Sequence, residues 1–211
     1  MEKREKDLIS LEYGLREIMG RNFFGIEEAI QYFGINPSHE QLITLSKIPF
    51  PFSKATLQNL KDTHILVAVF PLSILELRAK IDSKLFYDES WYGKGFVFAT
   101  ECDEVSWKLV RKSPVDNSTS KSWRKQLVLL GEDEEVPRAR VMIYTIIGHF
   151  LATGERLFEH IYVRTLDRPR DYTMSELREY IYVGFFDSFC YFWDENPVAY
   201  IGIASVRKED L

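Results

Sequence analysis

Apolar residues recur at helical spacing through the first part of the chain and at strand spacing through most of the remainder. Leu8, Leu11, Leu15, Ile18 and Met19 lie three or four positions apart, which puts them on one helical face, and Gly20 ends the run. Ile26, Ala29, Ile30 and Phe33 predict a second helix closed by Gly34. Asn36-Pro37 then turns the chain. Ser38 with Gln41 has the spacing at which a cap and a side chain satisfy each other's backbone donors, and it opens a third helix that Pro49 and Pro51 break. Ser53 opens a fourth helix through Leu57 and Leu60. The run from His64 to Phe70 is short, apolar and partly β-branched, so it predicts a buried strand. Ser73 with Glu76 repeats the capping pattern ahead of a helix through Leu77 to Ile81.

The pattern changes near Asp82. Trp91, Tyr92, Phe96, Phe98 and Trp107, broken by Gly93 and Gly95, favour strands and turns. From Val105 to Lys112 the chain alternates, with Val105, Trp107, Leu109 and Arg111 on one face and Ser106, Lys108 and Val110 on the other. A helix follows the polar turn at 116–120, with Trp123, Leu127 and Leu130 facing inward, and Gly131 closes it. Glu132 to Glu135 precede Pro137 and fit the positive end of a helix dipole. That helix, about 137–153, is apolar on most sides through Val141, Ile143, Tyr144, Ile146, Ile147, Phe150 and Leu151, so it should be a central buried helix. Strands are expected at His160–Thr165, Tyr180–Phe185, Phe189–Trp193 and Ile201–Arg207, with a helical turn capped by Thr173 and Glu176 between the first two. The fold class is α+β, with residues 1–82 as a mainly helical module and residues 83–211 as a second domain.

The C-terminal stretch is the compositional anomaly. Nine of the twenty-two residues from Glu179 to Tyr200 are aromatic, against 14% for the whole chain, and none is Lys or Arg. Rigid aromatic side chains give contact area at low entropic cost, which suits a core or a recognition surface. Alternation along Tyr180–Phe185 assigns Ile181, Val183 and Phe185 to one side and Tyr180 and Tyr182 to the other. The aliphatic side is the expected core, and the tyrosines are expected to face solvent or a groove. Phe189, Tyr191 and Trp193 share a face opposite Cys190 and Phe192.

The remaining composition narrows the classes. A net charge of −5 argues against a dedicated nucleic-acid binder. The longest apolar runs, 65–70 and 141–152, are too short to cross a bilayer, and the start has charges with no apolar stretch behind them. The expectation is a soluble cytoplasmic protein. Cys102 and Cys190 match no metal or redox spacing and read as idle thiols. His39, His64, His149 and His160 have no ligand spacing. Gly93-Lys94-Gly95 lacks the phosphate-loop pattern. Arg164, Arg168 and Arg170 form forks of the kind that meet anions, but a solvated loop explains them. Asp194, Glu195 and Asn196 are oxygen donors of the sort hard cations use, yet three neighbours on one turn need further ligands, so no metal is assigned. No catalytic residue and no cofactor is expected.

The elements YVRT (162–165), YVGFFDS (182–188), FWDE (192–195) and IGIASVRK (201–208) resemble the variable proteins of diversity-generating retroelements, and the apolar helix before YVRT fits their layout. Those proteins carry a C-type-lectin-like domain of the formylglycine-generating-enzyme type, whose C-terminal segment is rewritten by an error-prone reverse transcriptase. The resemblance covers roughly residues 84–211. It implies a non-enzymatic protein whose exposed, diversifiable aromatic and acidic surface binds a protein or other macromolecule. The ligand-binding positions it implies are Tyr180, Phe185, Ser188, Phe189, Tyr191, Trp193, Glu195, Asn196, Val198 and Tyr200, and the alternation above adds Tyr182. The chain lacks the Gly-Asn-Val-Trp-Glu-Trp motif and the cysteine pair of the enzymatic relatives, so their chemistry is not carried over. The helical module is expected to mount the protein on a partner or form a homo-oligomer. Two rival readings are an enzyme with a pocket at the domain junction, built from Arg164, His149 or His160 and a carboxylate, and a structural or regulatory module of a mobile element.

Overall fold

The computed structural model describes residues 2–86, 95–168, 180–184 and 197–210. The protein is α+β. Five helices come first: α1 (Glu2–Met19), α2 (Ile26–Phe33), α3 (His39–Leu45), α4 (Lys54–Leu60) and α5 (Ile74–Lys80). The strands β1 (Phe23–Phe24) and β2 (His64–Val69) are threaded among them. Then follow α6 (Val97–Thr100), β3 (Ser106–Arg111), α7 (Trp123–Leu127), β4 (Glu134–Glu135) and α8 (Ala139–Thr153). The chain closes with β5 (Tyr162–Arg164), β6 (Tyr182–Val183), β7 (Ile201–Ile203) and β8 (Val206–Arg207).

Local signals account for most helix boundaries. Ser38 and Gln41 cap α3 reciprocally, and Ser73 and Glu76 do the same for α5. The Ser53 hydroxyl accepts from the Thr56 N–H at the start of α4. Gly34 ends α2 and Gly154 ends α8, each in the left-handed conformation that an L side chain resists.

Two sheets result. The larger has the order β1-β2-β3-β8-β4, with β1 parallel to β2 and the other pairs antiparallel. The smaller has the order β6-β5-β7, with β5 antiparallel to β6 and parallel to β7. The strand expected over 201–207 is thus two strands in different sheets. The chain crosses between them at Ala204 and Ser205, both buried. The Ala204 N–H donates to the Arg164 carbonyl in the small sheet (3.1 Å), and the Ser205 carbonyl accepts from Arg111 in the large one (3.1 Å).

The boundary drawn at residue 82 does not separate two cores. β2, from the first stretch, pairs with β3, from the second, over six residues. One apolar cluster runs from Leu8 to Val206. The reason is α8. Every residue from Ala139 to His149 is buried, and no single layer covers a helix on all sides. Elements from both stretches pack on it: α2, α5, β1 and β2 from the first, α6 and β6 from the second. Phe24 and Phe33 meet Tyr144 edge-on, with centroids 6.0 and 4.6 Å away.

Three further expectations are corrected. Phe96 and Phe98 lead into the one-turn helix α6 rather than a strand, because that turn lays Phe98 and Ala99 against α5 and α8. The acidic run does not cap α8. Glu134 and Glu135 form edge strand β4, and the Glu134 carboxylate accepts from Ser205 Oγ (2.8 Å) and the Gly131 N–H (3.0 Å). The cap is Asp167, whose Oδ2 accepts from the Ala139 N–H at 2.5 Å. In α7 the inward residues are Trp123 and Gln126, while Leu127 is 38% exposed.

Glu12 and His64 give stability opposing pH dependences. Glu12 of α1 accepts from the Ile26 N–H at 2.8 Å and so holds α1 to the first turn of α2. Burial pushes its carboxyl up to about 7, Glu28 and Glu27 add to the rise, and the Ile26 N–H and Arg16 oppose it. His64 is pushed down to about 4 by burial, then by Arg111 and Arg207, against Glu134. The Glu12 contribution is therefore lost as pH rises from 4.5 to about 7. The His64 contribution is full above 6.5 and is lost as pH falls toward about 4. Glu12→Gln should remove the first slope, so that denaturation midpoints rise with pH between 4 and 6.5 and stay flat to 7. Packing gives a second expectation. A methyl group on Gly148 would lie 2.8 Å from the Phe24 ring. Gly148→Ala should cost about 1–3 kcal/mol in chemical denaturation despite the better helix propensity of alanine.

Candidate functional site

The small sheet is built around a buried arginine. Arg164 is 0% exposed at the end of β5, the central strand. Its Nη1 donates to Gln126 Oε1 at 2.6 Å and to the Lys121 carbonyl at 2.9 Å. Its guanidinium lies 5.3 Å over the Tyr182 ring, with Nε 3.4 Å from the Tyr182 hydroxyl. Gln126, also 0% exposed, uses its amide nitrogen on the carbonyls of Ser118 (2.8 Å) and Ile201 (3.2 Å). Ser118 Oγ in turn accepts from the Ile203 N–H at 3.1 Å. One polar chain thus ties α7 and the turn before it to β5, β6 and β7. Charge and amide groups this deep are tolerated because each is given partners.

Apolar packing closes around that chain. Trp123 stacks on Tyr180 with centroids 4.0 Å apart. Arg168 lies 4.9 Å over the Tyr180 ring and donates to its hydroxyl at 3.0 Å. Val115, Ile201 and Ile203 complete this second core. Gly202 sits where a side chain would lie 2.6 Å from Pro114 Cβ and 2.8 Å from Ser118 Oγ, so the absence of a Cβ lets the turn close on β7.

Alternation around β6 has the expected phase and a different consequence. Ile181 and Val183 join the main core. Tyr180 and Tyr182, expected to face solvent or a groove, are 3% and 1% exposed and join the second core. The strand is enclosed on both sides, because α7 and the 114–122 turn cover the face that the sequence leaves to water. These two tyrosines are frame residues. Of the other expected binding positions, Val198 is half-buried against the second core and Tyr200 is 57% exposed, its ring 6.3 Å from Tyr162. Phe185, Ser188, Phe189, Tyr191, Trp193, Glu195 and Asn196 lie outside the described residues, as do Arg170 and Cys190 and the 93–94 end of the glycine pair.

Arg164 is committed to Gln126 and Tyr182. His149 meets Glu155 at 3.2 Å near the end of α8, where Lys112 and Arg21 also pair with that carboxylate. Burial lowers the His149 pKa, and Glu155 opposes the shift. His160 is exposed. A cleft of about 190 Å³ by the start of α8 is lined by Lys108, Glu135, Arg138 and Leu166, with Arg138 paired to Glu101 (3.2 Å). Burial raises the pKa of Asp167 beside it, against the Ala139 N–H and Arg138. No group of three His, Cys, Asp or Glu side chains suited to a metal occurs among the described residues.

Sequence reasoning missed Gln126, Ser118 and Asp167. Gln126 had a legible signal, since it lies three residues after Trp123 on the same helical side. Ser118 and Asp167 act across 85 and 28 residues, and no local pattern marks them. Gln126→Leu strips Arg164 and two carbonyls of partners and should destabilise by roughly 1–3 kcal/mol or more. Leu127→Ser, next to it but 38% exposed, should cost less than Gln126→Leu, because it strips no buried polar group of a partner. Urea midpoints of the two variants test the assignment of the inward face.

Comparison with protein-family models, with curated proteins and with solved structures finds no match for the chain.

Proposed function

We propose that the protein is a non-enzymatic binding protein that presents its C-terminal aromatic and acidic segment to another protein or macromolecule, as the retroelement variable proteins it resembles do. In this reading residues 84–211 carry the lectin-like arrangement and residues 185–196 carry the diversifiable contacts. The segment runs from Gly184, after β6, to Pro197, before β7, and so joins the two outer strands of the small sheet. Six of its twelve residues are aromatic, three are acidic and none is basic. Tyr and Trp give contact area there, and Asp, Glu, Ser and Asn tune polarity.

The observation that carries the reading is the division among the tyrosines. Tyr180 and Tyr182, ahead of the segment, are locked in a core by Trp123, Arg168 and Arg164. Tyr200, just after it, keeps 57% of its surface in water. In this reading the binding surface is Phe185, Ser188, Phe189, Tyr191, Trp193, Glu195 and Asn196 with Tyr200, and the other two tyrosines belong to the frame. A partner with a basic or apolar patch suits it.

Two measurements test this. Genomic DNA around the gene should hold a near-copy of the codons for about residues 162–208 that differs mainly at adenines, beside a reverse-transcriptase gene. Its absence would leave the retroelement link without support. In a display library randomised at the seven segment positions and Tyr200, a large share of clones should fold, and binders should be recoverable against unrelated proteins. Randomising Tyr180 and Tyr182 instead should abolish folding.

A further inference from the structure

A second candidate surface is built from residues outside that segment, and its geometry is set by how the C-terminal tail leaves the large sheet. β3 and β8 pair Leu109 with Arg207 and Val110 with Val206. Continued, that register would set Trp107 opposite Glu209. The tail turns away instead. The Asp210 N–H donates to the Pro51 carbonyl at 2.8 Å, and the Asp210 carboxylate takes the Ser53 N–H (2.8 Å) and the Thr56 hydroxyl (2.5 Å) at the start of α4. Beside Ser106 and Trp107 a cleft of about 410 Å³ is left between β3, the tail and the loop after α3.

The cleft is apolar below and charged at its rim. Its floor is Leu45 and Trp107, 1% and 3% exposed, with the indole N–H held by the Leu45 carbonyl at 2.9 Å. Ile48 stands at the lip with 87% of its surface in water. The wall prolines, Pro49 and Pro51, have no N–H to offer. Two carboxylates line the rim, Glu104 and Glu209, both exposed and neither in an ion pair among the described residues. Lys47 is the cation among the lining residues. Acids thus outnumber bases around an uncovered aliphatic lip, next to a strand whose pairing with β8 stops at Leu109.

We propose that this cleft docks an extended peptide that lays an aliphatic side chain over Trp107 and places an adjacent Lys or Arg between Glu104 and Glu209. The peptide would occupy the line that β8 abandons, a strand-addition mode in which a pocket reads one side chain and the rim reads its neighbour's charge. The proposal does not depend on the C-terminal segment.

The test uses the full chain, isotope-labelled, and two capped pentapeptides with a central leucine, one flanked by arginines and the other by glutamates. Amide signals of residues 45–51 and 104–107 should shift and saturate with the basic peptide. Glu104→Lys combined with Glu209→Lys should weaken that binding at least about tenfold. Ile48→Asp should weaken it similarly at an unchanged melting temperature, since the residue is exposed. Equal binding of the acidic peptide would overturn the proposal, as would no shift with either peptide. Self-association in sedimentation that Ile48→Asp abolishes would also overturn it, because the occupant would then be a second copy of the chain.

Discussion

A helix with no polar side must be enclosed, and this constraint organises the molecule. Residues 139–149 of α8 are buried all round. The chain meets the demand by wrapping: α2, α5, β1 and β2 approach from one part of the sequence, and α6 and β6 from the other. Neither part could do so alone. The composition shift at residue 82 therefore marks a change in the kind of element, while the core runs through it. Burial of this extent is what stabilises the fold against chain entropy, and it explains why the two stretches share one sheet.

The second core obeys a different rule. Around Arg164 the chain encloses a guanidinium and a primary amide, which is unfavourable unless their hydrogen bonds are met. Gln126, the Lys121 and Ser118 carbonyls and the Tyr182 hydroxyl meet them. Hydrogen bonds are directional where apolar contacts are not, so this arrangement fixes the position of β5 relative to α7 and β7 more sharply than packing would. The result is a small sheet of short strands held in register by side chains as much as by its own ladder.

Much of this was legible in the sequence, and the failures have a common cause. Helix caps are written in local patterns, such as Ser38 with Gln41 and Ser73 with Glu76, and α8 shows itself in its unbroken apolarity. The phase of alternation at Ile181 and Val183 was also right. What failed was the inference from phase to exposure. Alternation says that Tyr180 and Tyr182 share a side, and only tertiary structure says that Trp123 and Arg168 cover that side. The acidic run failed similarly: charge next to a proline suggested a helix start, while the start was capped from Asp167, 28 residues away. In the helix that holds Gln126, apolar spacing alone points to Leu127, and only the partners of the amide show that Gln126 is the inward residue.

The crossing at Ala204–Ser205 limits how separable the parts of this protein are. β7 completes the small sheet and β8 lies between β3 and β4 in the large one, with two residues between them. An excised fragment carrying the small sheet would take the strand that bridges β3 to β4 with it, and a fragment ending before β7 would leave β5 open along one edge. Among the described residues there is no seam at which the C-terminal end could be transplanted to another scaffold or replaced as a cassette of its own. Novelty introduced there has to be written between fixed strands rather than delivered as a new module.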